Sequence, residues 1–208
     1  MRIGLVGDNS IGMIEQVINI WNNGDCVVLV DWRIPYNSII EMLESVNVKK
    51  CYIEKKILDS INQKIEGKTL EFVPYISTDN RMTAIPTELY NKFQSNYSNS
   101  EALILFSSGT TGKSKGVVLS HYAINSNADE VFKYMELEES DSMYIQKTLC
   151  HSSTFVCELL VALKYRVKMF ISPTVTIPNT ILKNIVNHRI TVCLLYTSDA
   201  ADEARSVD

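Results

Sequence analysis

Ala102-Leu-Ile-Leu-Phe-Ser-Ser-Gly-Thr-Thr-Gly-Lys-Ser-Lys-Gly-Val-Val-Leu-Ser-His121 is the stretch that organises the rest of the chain. An apolar run, Leu103 to Phe106, stops abruptly. The ten residues Ser107 to Gly116 then hold three glycines, two threonines, three serines and two lysines. A second apolar run, Val117 to Leu119, follows. Each residue type in the loop suits a polyanion. Gly109, Gly112 and Gly116 lack a Cβ, so the backbone can take φ > 0 and bring its N–H groups close to phosphate oxygens. Ser107, Ser108, Thr110, Thr111 and Ser114 offer hydroxyl donors, and Lys113 and Lys115 add positive charge.

Two kinds of phosphate loop compete. Gly112-Lys113-Ser114 matches the second half of G-x-x-x-x-G-K-[ST], but Ser107 stands where the first glycine belongs. That loop also runs straight into a helix whose N-terminus holds the phosphate. Here Lys115 to Ser120 is β-branched and reads as a strand. A plain glycine-serine turn is the third possibility, although such turns seldom need ten residues and two lysines.

Ser-Ser-Gly-Thr-Thr-Gly-Lys-Ser-Lys-Gly, residues 107–116, resembles the phosphate-loop signature of the adenylate-forming superfamily. That superfamily comprises acyl-CoA synthetases, nonribosomal peptide adenylation domains and luciferases. Ser114 replaces the usual proline before the second lysine. The resemblance implies that Ser107, Ser108, Gly109, Thr110, Thr111, Gly112, Lys115 and Gly116 bind the β- and γ-phosphates of ATP. It implies Mg²⁺ with the nucleotide, a small carboxylic acid as substrate and coenzyme A as thiol acceptor. Asp31-Trp-Arg-Ile-Pro35 keeps the ends of the family's Asp-Pro-x-x-Pro-like turn, with Trp32 for the first proline. His151 falls where the family has a histidine or aromatic residue lining the acyl pocket, so it is the expected pocket residue. Packing or capping at the helix start is the alternative. In amino-acid-activating members an aspartate near this helix start pairs with the substrate ammonium, and that place falls on Ser153. The expected acid is therefore a fatty, aryl or other plain carboxylic acid. Tyr165-Arg166 stands where the family usually has an Ala-Gly-like turn.

Composition sets the bounds. The 208 residues are 46% hydrophobic and 21% charged, as in ordinary globular proteins. The net charge of −4, with no basic cluster, argues against a nucleic-acid surface. No apolar run reaches membrane-spanning length, and no signal peptide opens the chain. The five cysteines have neither metal nor disulfide spacing. They fit a reduced, cytoplasmic setting with buried thiols.

Residues 193–208 break the preceding pattern and resemble the in-frame translation of a transposase sequencing adaptor. They are set apart from residues 1–192, the expected partial AMP-binding N-terminal domain. Without Asp199, Asp202, Glu203, Asp208 and Arg205, the 24 acidic and 20 basic side chains fall to 20 and 19, nearly neutral.

Strand and helix patterns alternate, so the expected fold is α/β with a doubly wound, mostly parallel sheet. Strands are expected at Arg2–Val6, Cys26–Val30, Lys50–Ile53, Leu70–Val73, Leu103–Phe106, Met143–Gln146, Val167–Ile171 and from Ile190. Helices are expected at Ile11–Trp21 with Asn9 or Ser10 as cap, Ile39–Val46 capped by Asn37 or Ser38, and Leu58–Ile65. Others follow around Glu88–Phe93, at Tyr122–Met135, after His151 and at Ile181–Val186. Gly4, Gly7 and Gly12 lack the dinucleotide spacing and read as an ordinary strand-to-helix turn. In the family, the Mg²⁺-holding glutamate, the ribose-binding aspartate and the catalytic lysine lie beyond Val192, so this polypeptide alone is expected not to turn over substrate. A degenerate Walker-loop NTPase and a non-catalytic nucleotide-binding module are the alternatives.

Overall fold

The computed structural model describes residues 1–61, 70–77, 81–107, 114–138, 140–174 and 176–194. The principal sheet has the order β4-β3-β1-β2-β6-β7. Its strands are β1 (Arg2–Gly7), β2 (Cys26–Asp31), β3 (Lys50–Glu54), β4 (Glu71–Tyr75), β6 (Glu101–Ser107) and β7 (Lys115–Ser120). All neighbouring pairs are parallel except β6 with β7, which is antiparallel. A second sheet of β5 (Thr83–Ala84), β8 (Ser142–Ile145) and β9 (Lys168–Ile171) has the order β5-β9-β8. Val192 adds a parallel bridge to Met143.

Two-residue periodicity explains why the central strands read as continuous apolar runs. Val27, Leu29, Leu103 and Leu105 enter one core, while Val28, Val30 and Ile104 enter the other. Helix α1 (Ile11–Asn22) covers the first face through Met13, Ile14, Val17 and Ile18. Helix α2 (Tyr36–Ser45) covers the second through Ile39, Ile40 and Leu43. The first core also takes Met143, Ile145, Met169 and Ile171, and so lies between the two sheets. Trp21 joins its parts. Its indole Nε1 donates to Ala102 O at 2.8 Å, and its ring meets Phe155 edge-on at 5.7 Å.

Ser10 caps α1 as expected, accepting from Met13 N at 3.1 Å. The expected cap of α2 is corrected. Asn37 and Ser38 lie inside the helix, which starts at Tyr36 behind Pro35, and no side chain caps it. Pro35 has φ −56°, and its carbonyl accepts from Ile39 N. Helix α3 spans Lys55–Ile61, so it begins before Leu58; residues 62–65 of the expectation lie outside the described residues. Helices α4 (Thr87–Lys92) and α5 (His121–Tyr134) fall within a residue or so of their expected limits. Ser153–Leu160 is π-helical and continues as α6 (Val161–Tyr165), and α7 spans Pro178–Asn187.

The Tyr165-Arg166 departure has a physical reading. Arg166 caps α6 in the left-handed region, at φ 59°, where glycine would be free of strain. Side chains offset that cost. Arg166 Nη2 donates to Asn91 Oδ1 at 2.9 Å, and Tyr165 stacks on Phe132 with centroids 3.7 Å apart. The five cysteines form no disulfide; Cys26 and Cys51 are buried and Cys150, Cys157 and Cys193 partly so.

Candidate functional site

Because β1, β2 and β6 are mutually parallel, Gly7, Asp31 and Ser107 finish at one edge of the sheet. Ligands of open α/β sheets gather outside such carboxyl ends. Two side chains on the turn after β1 bring the second sheet to this edge. Asp8 Oδ1 accepts from Thr174 N at 2.9 Å and from Thr174 Oγ1 at 2.7 Å. Asn9 Nδ2 donates to Lys147 O at 2.7 Å, and Asn9 Oδ1 accepts from Leu149 N at 3.0 Å. Both residues are buried, so these bonds satisfy groups that would otherwise cost about 1–3 kcal/mol each.

A cleft of ≈ 680 Å³ opens where the two sheets meet. Arg33, after β2, forms one wall. Gln146, Lys147 and Thr148 come from the turn after β8, and Thr174 from the turn after β9. His151, Ser152 and Ser153 come from the start of the π-helical segment. His151 is exposed; its N–H donates to Thr148 O at 3.2 Å and its carbonyl accepts from Phe155 N at 2.9 Å. It stands at the helix start, as expected, with its ring on the cleft. Asp31 holds Arg33 by a fork, Nη2 to Oδ2 at 2.5 Å and Nε to Oδ1 at 2.9 Å. Burial opposes ionisation of Asp31, but those bonds and the nearby His151 keep its carboxyl below the ordinary range.

Behind the cleft sits a feature that sequence reading missed. Glu158, on the π-helical segment, is 0% exposed, and neither carboxylate oxygen has a well-aligned hydrogen bond. Lys147 Nζ stands 3.1 Å from Oε1. Burial pushes the Glu158 carboxyl up to about 7, against the pull of Lys147. The two lie eleven positions apart on different elements, Lys147 after β8 and Glu158 within the π-helical segment, so no single-element period relates them.

The loop flanks are described and its tip is not. Ser107 ends β6, Lys115 begins β7, and the two are register partners; Ser107, Ser114 and Lys115 are all exposed. Ser108, Gly109, Thr110, Thr111, Gly112 and Lys113 lie outside the described residues. The chain leaves the loop into a strand, against the strand-to-helix context of a Walker loop. The expectation of φ > 0 at Gly116 is corrected. Only Gly24 among the described glycines has positive φ, whereas Gly116 pairs with Phe106 inside the sheet. A Cβ on Gly116 would lie 2.8 Å from Val46 Cγ1, so packing excludes a side chain there. The exposed hydroxyls and ammonium at both ends of the hairpin suit a triphosphate, so the described residues fit the nucleotide.

No helix among the described residues is long and apolar enough to cross a membrane. The AMP-binding enzyme family matches residues 1–199, ending within the segment set apart on sequence. Tyrocidine synthase 3 of Brevibacillus parabrevis is 26% identical over 141 residues, covering 68% of this chain and 2% of that protein. Malonate–CoA ligase of Arabidopsis thaliana is 25% identical over 150 residues, covering 67% of this chain and 24% of that protein. The o-succinylbenzoate CoA synthetase MenE of Bacillus subtilis, solved with its acyl-adenylate OSB-AMP, superposes with TM-score 0.71 at 17% identity, covering 99% of this chain and 52% of that one. MenE has also been solved with ATP and a magnesium ion. The chain thus spans about half of a similar structure, and a quarter or less of the two curated relatives. A hydroxyl-rich hairpin beside a cleft at the carboxyl edge of a parallel sheet, in a chain matched nearly end to end, has one conclusion: the chain belongs to the AMP-binding enzyme family.

Proposed function

We propose that this chain is the nucleotide- and acid-binding part of a ligase that activates a carboxylic acid with ATP. A carboxylate oxygen attacks the α-phosphorus, the bond to the bridging oxygen breaks, and pyrophosphate leaves. A thiolate then attacks the acyl carbon of the adenylate and AMP leaves, with coenzyme A as the proposed acceptor. The observation that carries the reading is the exit of the loop into β7, beside the cleft that holds His151. Thr110 and Thr111 donate to the β- and γ-phosphates. Lys115 offsets the charge that grows on departing pyrophosphate. Mg²⁺ accompanies the nucleotide and shields its oxygens. His151 lines the space for the acyl group. Ser153, on the same wall, is uncharged and gives an ammonium no partner. The name of one relative, malonate–CoA ligase, supports an acid–thiol ligase.

Isothermal titration of the chain with ATP and magnesium tests the reading. A charge-assisted contact contributes roughly 1.5–3 kcal/mol. Lys115→Ala should therefore weaken ATP binding about tenfold or more while the far-UV spectrum stays unchanged. Failure of the unaltered chain to bind ATP at millimolar concentration would refute the assignment.

A further inference from the structure

We propose that the acid taken by this cleft carries a second anionic group, met by Lys147 and Arg33. This rests on the ligase reading only for the identity of the reacting carboxylate. Among the described residues that line the cleft none is aliphatic, and the apolar surface comes from side-chain stems, threonine methyls and the His151 ring. A fatty or aryl tail gains free energy by leaving water for apolar surroundings, about 0.8 kcal/mol per CH₂. It gains little against hydroxyls and amides, whose own hydration it would displace. The expected fatty, aryl or other plain acid would meet only stems, methyls and the His151 ring here, whereas a charged tail would meet Arg33 and Lys147.

Charge points the same way. Two of the described side chains that line the cleft, Arg33 and Lys147, are basic, and none of them is a carboxylate. Asp31 engages Nε and Nη2 of Arg33, which leaves Nη1 uncommitted among the described residues. The Lys147 ammonium has three donors and, among the described residues, one partner, Glu158. Asp8, the next acid at this edge, is occupied by Thr174. Glu158 lies wholly behind the wall, where it holds Lys147 without facing a ligand. Because burial moves that carboxyl up to about 7, it neutralises Lys147 only in part near neutral pH. A planar carboxylate reaching Nη1 of Arg33 and Nζ of Lys147 would be paired on both sides.

The test uses the 208-residue chain at pH 7. Succinate, hexanoate, benzoate and pyrophosphate are titrated in turn, with the His151 imidazole resonance as reporter, identified through His151→Asn. The doubly altered Lys147→Met/Glu158→Gln chain removes both charges, so no lone carboxylate is left buried. Arg33→Gln is the second variant, and circular dichroism checks that each folds. Succinate should bind at least tenfold tighter than hexanoate or benzoate, and each variant should lose tenfold or more of that affinity. Comparable binding of hexanoate or benzoate overturns the proposal. So does succinate binding that neither variant changes, and so does pyrophosphate displacing succinate as the tighter ligand, which would make the cleft a phosphate site. A parallel titration with ATP and magnesium separates the two readings. ATP binding without succinate binding removes this proposal alone. Succinate binding without ATP binding removes the ligase reading and leaves the anion site standing.

Discussion

Lys147→Met should cost about 3–5 kcal/mol at pH 8 and far less at pH 5, because it strands a buried carboxylate only when that group is ionised. Lys147 Nζ lies 3.1 Å from Glu158 Oε1, with side-chain exposures of 15% and 0%. The folded-state carboxyl is raised from 4.5 to about 7. A raised folded value means that the folded chain holds its proton more tightly. The corresponding stability is therefore complete below about pH 4.5 and lost as the pH rises through about 7. In the unaltered chain the difference is on the order of 3 kcal/mol. The neighbouring titratable groups, Cys157 and Cys193, are pushed up by burial and stay neutral across this window. Methionine at 147 removes the cation that, among the described residues, restrains Glu158, so the loss steepens toward high pH. Glu158→Gln should abolish the fall between about pH 4.5 and 7. Urea unfolding at pH 5, 6.5 and 8 measures this. Equal losses for Lys147→Met at pH 5 and pH 8 would show that Lys147 acts through packing rather than charge.

Gly7→Ala should destabilise the fold by about 2–3 kcal/mol, a typical cost of overpacking a filled core. A Cβ at residue 7 would lie 1.8 Å from Tyr75 Oη and 3.0 Å from Cζ. The phenol cannot swing aside as a lysine end would, since Tyr75 is 6% exposed and belongs to the first core. Its hydroxyl is buried without a hydrogen-bond partner. Tyr75→Phe alone should therefore be close to neutral or slightly stabilising. In the double variant the glycine substitution should cost at least about 1 kcal/mol less, because the contacting oxygen is gone and only the ring edge remains. Additive losses in that cycle would place the strain elsewhere. Gly7 precedes Asp8, so the same close approach fixes the turn that tethers Thr174.

What could be read from the sequence follows from how local each signal is. The loop was legible because glycines, hydroxyls and lysines at fixed offsets have few other uses. The strands β1, β2 and β6 were legible because burial on both faces leaves continuous apolar runs. Ser10 announced itself as a cap by chemistry that needs only three residues. Pro35 did not, because it starts α2 through its fixed φ while Asn37 and Ser38 offered the familiar capping side chains. Division of the strands into two sheets was hidden, since alternating strands and helices carry no mark of which strands pair. The packing reason for glycine at 116 is not legible, because its constraint comes from Val46, seventy residues earlier in the chain. The pairing of Lys147 with Glu158 is hidden for a different reason. Their meeting depends on a π-helical segment folding back over a strand end, and no periodicity reports that.

Among the described residues, strand β7 closes one side of the principal sheet, with Val117 and Val118 at 47% and 45% exposure. Lys115 is the single charged residue along it. An unpaired β-branched margin of this kind invites a neighbouring molecule to extend the sheet, and a lysine there is a deterrent. Lys115 therefore has a colloidal duty besides its proposed duty toward phosphate. Preparations in which it is neutralised should self-associate at lower concentration, and light scattering belongs beside any measurement of their nucleotide affinity.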